Sequence, residues 1–414
     1  MQGDKVKIVY VLPCCSVSGG IAVVCQHANR LLLRGYDVLF LTETPHDTYM
    51  GWFPGQQILI ITIEDYPGDV DILIATGWTT SFRVAQLPAK EKIYFVQSDE
   101  TRFHPLDSIW QYLCTISYCF DFHFMTEARW IQTWLMDNFG KNSYLVPNGL
   151  DENIFYPCAP LEKKGRRPRV LLEGAIGLPY KGMKEAFEAI RDLDVEIWCV
   201  SSYGKPDKSW RCDRFFEYVP MQKMREIYSS CDILLKLSRV EGFFGPPMEM
   251  MACGGVSVIG RVTGFDEYII DGVNALVIDP LDIHAATLAV KQLLADKELY
   301  EKLQYYGRKT ASEWAWEPTI DKLEEIFTTI IKSPPRQWRP HRTDLNSAIA
   351  SFYYTAIGKI PAQTNNLIDI VASENVEKLC RRLKKSRFFK LLADITAHVY
   401  YRLRTRRVRS SRLK

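Results

Sequence analysis

Two glutamates, Glu241 and Glu249, stand eight residues apart in the stretch EGFFGPPMEMMACGG, with Pro246 and Pro247 between them. Ionised carboxylates only accept hydrogen bonds, which suits them to gripping diols such as a ribose or a sugar ring. Lys181 follows a glycine-containing loop in GAIGLPYKG and is predicted to open a helix. An ammonium there would neutralise a leaving diphosphate as a point charge. Gly19 and Gly20 follow the first apolar run, and without a Cβ they let a phosphate or sugar approach backbone N–H groups. Taken singly, each feature has a plainer reading: a helix-dipole complement, a solvated loop acid, an exposed helix-start lysine, a turn glycine.

The surrounding elements give these residues a common place. DILLKLS (232–238) and VSVIG (256–260) read as buried strands. The proline pair suits a helix start, and Gly254 suits its end. Glu241 is therefore expected on a loop past a strand's carboxyl end, and Glu249 in the first turn of a short helix. In parallel α/β sheets that is where the ligand crevice lies.

The rest of the chain repeats the alternation. Strands are predicted at 5–13, 37–43, 57–63, 71–77 and 92–98, with helices at 21–34 and 128–139, ending in SYLVPNGLDENIFYP (143–157). The charged, proline-bounded APLEKKGRRPR opens a linker. Strands at 169–176 and 195–202 flank a helix at 181–193, and helices follow at 283–295, 297–313 and 317–331. This divides the chain into residues 1–158 as an N-terminal Rossmann-like domain and 159–168 as linker. Residues 169–331 are expected as a second Rossmann-like domain, and 332–414 as a C-terminal extension.

The paired glutamates and the loop between them resemble the signature of the retaining family-4 glycosyltransferases of GT-B fold. VPNGLDENIFYP, with Asn148, Gly149, Asp151 and Phe155, is similar to that family's closing phrase before the linker. The resemblance implies two doubly wound Rossmann-like α/β domains facing across a cleft, with residues 1–158 on the acceptor side and 169–331 binding the donor. It implies that Glu241 contacts the transferred sugar, that Glu249 holds the nucleotide ribose, and that Lys181 meets the leaving diphosphate. Gly19, Gly20, Phe243 and Gly245 are implied to lie against the donor, and Gly264 and Glu267 to be structural. The chain departs from the family in three places. Phe244 replaces a common glycine, and Ala175 stands where an arginine usually partners the lysine. Gln97 and Ser98 occupy the place of a first-domain histidine, with His104 nearby. Gln97 and Ser98 are candidates to hydrogen-bond a donor hydroxyl.

The implied reaction moves a sugar from a nucleotide-diphosphate sugar to a glycan or lipid-linked acceptor hydroxyl with retention, in cell-surface glycan or polysaccharide assembly. No cofactor or metal is expected. Asp69-Val70-Asp71 and Asp192-Leu193-Asp194 imitate a metal motif but begin strands rather than close them. The alternatives are a catalytically idle sugar-nucleotide-binding scaffold, or an epimerase or phosphorylase on the same fold.

Bulk composition bounds the rest. The 414 residues hold 11 cysteines without a CxxC pair, so reduced thiols in a cytoplasmic setting are expected. Neither a signal peptide nor a membrane-spanning stretch is predicted. The net charge of +3 conceals an asymmetry: residues 378–414 carry fourteen Lys/Arg and one acid, Asp394, leaving the remainder at −10. The tail reads as a basic amphipathic helix, suited either to an anionic membrane face or to docking on the acidic body. No nucleic-acid-reading motif accompanies it.

Overall fold

The computed structural model describes residues 5–43, 48–106, 108–333 and 353. The basic helix expected at 378–414 lies outside the described residues.

The first domain is a seven-stranded parallel sheet: β1 (Lys7–Leu12), β2 (Asp37–Thr42), β3 (Leu59–Ile61), β4 (Ile72–Ala75), β5 (Glu91–Val96), β6 (His123–Thr126) and β7 (Ser143–Leu145). Their spatial order is β3-β2-β1-β4-β5-β6-β7. Near-continuous apolar runs such as KIVYVL and ILIA suit strands covered on both faces. The helices doing the covering are α1 (Gly19–Leu33), α2 (Trp78–Gln86), α3 (Ile109–Ser117) and α4 (Arg129–Phe139). The strand predicted over 57–63 shrinks to three residues. As an edge strand β3 pairs only with β2, its Leu59 is exposed, and the chain turns into a 3-10 segment at Ile63–Asp65.

The second domain carries β8 (Arg169–Glu173), β9 (Glu196–Ser201), β10 (Arg214–Glu217), β11 (Ile233–Lys236), β12 (Val256–Gly260) and β13 (Leu276–Ile278). They form a parallel sheet ordered β10-β9-β8-β11-β12-β13. Helices α5 (Met183–Ile190), α6 (Met221–Ser230), α7 (Gly245–Ala252), α8 (Ile283–Ala295) and α9 (Lys297–Ser312) flank it. In each sheet the winding reverses once, between β1 and β4 and between β8 and β11. Ligands of doubly wound sheets bind outside the carboxyl ends at such reversals.

The last helix, α10 (Glu317–Lys332), leaves the second domain and packs on the first. Its Ile320, Leu323, Ile326, Phe327 and Ile330 join the cluster around Tyr10, Val24 and Leu31. Arg34 of α1 donates to Glu317, Asp321 and Glu324 along the same helix. A single cut at residue 331 therefore misassigns α10. Its apolar stripe completes the face of the first sheet that α1 alone leaves partly open. Tyr353 also returns to the first domain, stacked on Phe82 at 4.0 Å.

Candidate active site

The loop between β11 and α7 is held at the junction of the two domains. Trp130 Nε1 donates to Gly242 O across that junction at 2.8 Å. A Cβ on Gly242 would lie 1.7 Å from Gln97 O and 2.8 Å from Glu127 Oε1, so only glycine allows this approach. Glu267 accepts from the N–H groups of Arg129 at 2.6 Å and Trp130 at 3.2 Å, fastening the second domain to the start of α4. Arg102 reaches Arg239 O at 2.8 Å, and Phe103 stacks on Tyr180 at 5.5 Å. These contacts bring the carboxyl ends of both sheets together.

Within that junction Lys181 Nζ meets both carboxylate oxygens of Glu241 at 2.9 Å. Lys181 does not open a helix as predicted. It closes a 3-10 turn at Pro179–Lys181, and Gly182 then takes φ +65 before α5 begins. A Cβ at Gly182 would strike Leu237 O at 2.1 Å, which is why the KG pair is needed there. The Glu241 side chain is 11% exposed. Burial alone would raise its carboxyl, but Lys181 and then Lys236 outweigh it and hold the group below its ordinary value.

Glu249, expected in the first turn of α7, falls just past it: the helix begins at Gly245, one residue before the prolines, and its first turn holds no acid. It therefore does not complement the helix dipole. Its Oε2 accepts from Tyr228 OH at 2.8 Å, and its Oε1 stands 3.8 Å from where a Cβ of Gly245 would be. Burial pushes its carboxyl up to about 7, despite the tyrosine bond. Phe243 leans on Tyr268 and Trp314 at 5.5 and 5.7 Å. Phe244, in place of a glycine, has φ −90 and is fully buried. It anchors the loop in the core rather than blocking the site.

From the first domain, Gly20 faces Gln97, whose Oε1 would be 3.1 Å from a Cβ there, whereas Gly19 faces open space. Gln97 Nε2 donates to Thr76 O at 3.0 Å. Gln97 Oε1 and the Ser98 hydroxyl are buried without a donor or acceptor among the described residues. The His104 ring packs edge-on to Trp78 at 5.4 Å, and burial lowers its pKa. Asp69 and Asp71 are engaged by Lys7 and Lys90, with Nζ–O distances of 2.9 and 2.6 Å. The Asn148 side chain donates to Glu127 at 2.9 Å.

Sequence reasoning passed over three charged residues at this junction. Lys236 ends β11 and is 3% exposed, with Nζ 2.6 Å from Glu173 Oε2, 3.0 Å from Glu173 O and 3.8 Å from Glu241 Oε1. A lysine inside an otherwise apolar strand was the available signal. Glu173, ending β8, was hidden at the close of another apolar run. Glu127 sits on the first-domain side, and burial pushes it up to about 8.

Residues 213–310 match the model of the glycosyl transferases group 1 family. An uncharacterized glycosyltransferase of Methanocaldococcus jannaschii is 25% identical over 211 residues, 48% of this chain and 57% of that protein. A GDP-mannose-dependent alpha-(1-6)-phosphatidylinositol monomannoside mannosyltransferase of Mycolicibacterium smegmatis is 30% identical over 232 residues, 49% of this chain and 60% of that one. The chain thus spans three fifths or less of these relatives' length. Among solved structures, Anabaena HepE in complex with UDP-glucose superposes with a TM-score of 0.65 at 14% identity, over 78% of this chain and 99% of that one. The fold is GT-B.

Proposed function

We propose that this protein is a retaining glycosyltransferase of the family-4 type, using a nucleotide-diphosphate sugar. The observation that carries the reading is the convergence of Lys181, Glu241 and Glu249 at the reversal of the second sheet, opposite Gly20 and Gln97 of the first. Lys181 and the N–H groups at the start of α7 meet the diphosphate, Glu249 accepts from the ribose diol, and Glu241 accepts from sugar hydroxyls. The bond from the anomeric carbon to the phosphate oxygen breaks. The acceptor oxygen bonds to the same face of that carbon, and its proton passes to the departing phosphate. This route uses no protein nucleophile, and the protein's part is positioning and charge stabilisation. The mannosyltransferase relative, whose name specifies a lipid-linked acceptor, favours a glycan or lipid-linked acceptor in cell-surface assembly. The +13 charge of 378–414 would then hold the cleft near an anionic cytoplasmic membrane face. No helix among the described residues is long and apolar enough to cross a membrane.

A panel of nucleotide sugars, UDP-glucose and GDP-mannose among them, tests the reading through the thermal midpoint. One donor should raise it, because a ligand of the folded state stabilises that state. A panel that leaves the midpoint untouched at millimolar concentration contradicts the proposal. Vesicle sedimentation of the full chain against one ending at residue 377 tests the membrane contact. Equal partitioning of the two at low salt would refute it.

A further inference from the structure

Lys181 cannot serve Glu241 and a diphosphate equally. In the resting protein both of its short contacts go to the two oxygens of Glu241. If the ammonium turns toward a donor, a carboxylate that is 11% exposed loses its nearest counter-charge. A buried charge stranded in this way is strongly unfavourable and would take up a proton. Some other cation must remain.

We infer that Lys236 is that cation, a positioning residue that keeps Glu241 charged and in place while Lys181 turns to the donor diphosphate. The inference rests on the function proposed above. Lys236 sits on the central strand β11, one residue beyond the pairing of Leu235 with Leu172, so it lies beside Glu173 at the sheet's reversal. Two bonds to Glu173, one to its carbonyl and one to its carboxylate, fix the ammonium while leaving it 3.8 Å from Glu241 Oε1. With 3% exposure it has no solvent route away. Lys181 is the more exposed member of the pair, at 21%, and stands at the end of the Pro179–Lys181 turn just before Gly182 and α5. The other titratable groups facing Glu241 are Tyr180 beside Lys181, Glu127 from the first domain and Tyr268. None of these supplies positive charge. Lys236 is paired with Glu173 at 2.6 Å and acts also on Glu249.

The test reads the Glu241 carboxyl directly, by carbon-13 titration of the full chain with glutamate labelled and the signal assigned through Glu241→Gln. Lys181→Ala imitates a lysine drawn away to a diphosphate. In that variant Glu241 should remain ionised at neutral pH. Adding Glu173→Gln and Lys236→Met together removes the cation and its chief partner, so that Glu173 is not left unpaired and Glu241 alone loses its remaining counter-charge. The Glu241 midpoint should then rise by about one pH unit or more, the usual effect of an opposite charge at this range. Lys236→Arg should restore it. A midpoint that is the same with and without Lys236 overturns the inference, even if stability has dropped. Calorimetry with UDP and GDP runs alongside. A wild-type chain that binds neither contradicts the transferase reading, and the ligand-free titration still decides the part played by Lys236.

Discussion

At the scale of single residues, the two glutamates are set apart by their neighbours. Glu241 faces two lysines and stays charged, whereas Glu249 faces a tyrosine hydroxyl and is pushed up to about 7. A carboxylate gripping a ribose diol must be ionised to accept both hydroxyls. Nucleoside diphosphate affinity should therefore rise as pH climbs through about 7, the value to which Glu249 is shifted. Glu249→Gln should weaken binding by ~1–3 kcal/mol at alkaline pH, the range for hydrogen bonds to a charged group, and flatten that pH dependence. Calorimetric titration across pH 6 to 9 checks both. A glutamine variant with wild-type affinity and pH profile would remove Glu249 from the nucleotide site.

Elements bring these residues together, and the β11–α7 loop does most of it. Gly242 lies against Gln97 O so closely that any side chain must push the domains apart. Its backbone needs no positive φ, so Gly242→Ala should leave the second domain folded and able to bind a nucleoside diphosphate. Turnover should fall by ~10²-fold, because small misplacements of reacting groups are that costly. Steady-state kinetics beside calorimetry separate the two effects, and wild-type turnover would show the contact to be dispensable. The strands and helices around this loop were legible because apolar runs and proline or glycine punctuation are local signals. VSVIG and the helix at 283–295 fall where expected. The pairing of Lys181 with Glu241, sixty residues apart, was not legible, nor was the Lys236–Glu173 bridge between non-consecutive strands. Both depend on the sheet order, which residue spacing does not encode. Glu249 falls just past the first turn because the helix starts at Gly245, one residue before the proline pair that marks it in the sequence.

For the whole molecule, acids buried at the domain junction should set how stability changes with pH. Glu127 and Glu249 are raised to about 8 and about 7 from an ordinary 4.5. Between those values the folded chain holds more protons than the unfolded one, so stability falls as pH rises from about 5 to about 8 and then levels off. Glu241 is shifted the other way, and its contribution is lost only under acid conditions. Thermal midpoints across that range should decline in wild type and decline less in Glu127→Gln. A midpoint that rises steadily to pH 8 would contradict the assignment. In the proposed reaction Lys181 stabilises a departing diphosphate at this junction. The most direct measurement is the release of nucleoside diphosphate from the donor that gives the largest thermal protection, with and without acceptor, by wild type and Lys181→Ala. The account predicts acceptor-dependent release by wild type and a loss of ~10²-fold or more in the variant, with donor affinity falling far less. Donor that binds but stays intact, or a variant within a few-fold of wild type, would contradict it.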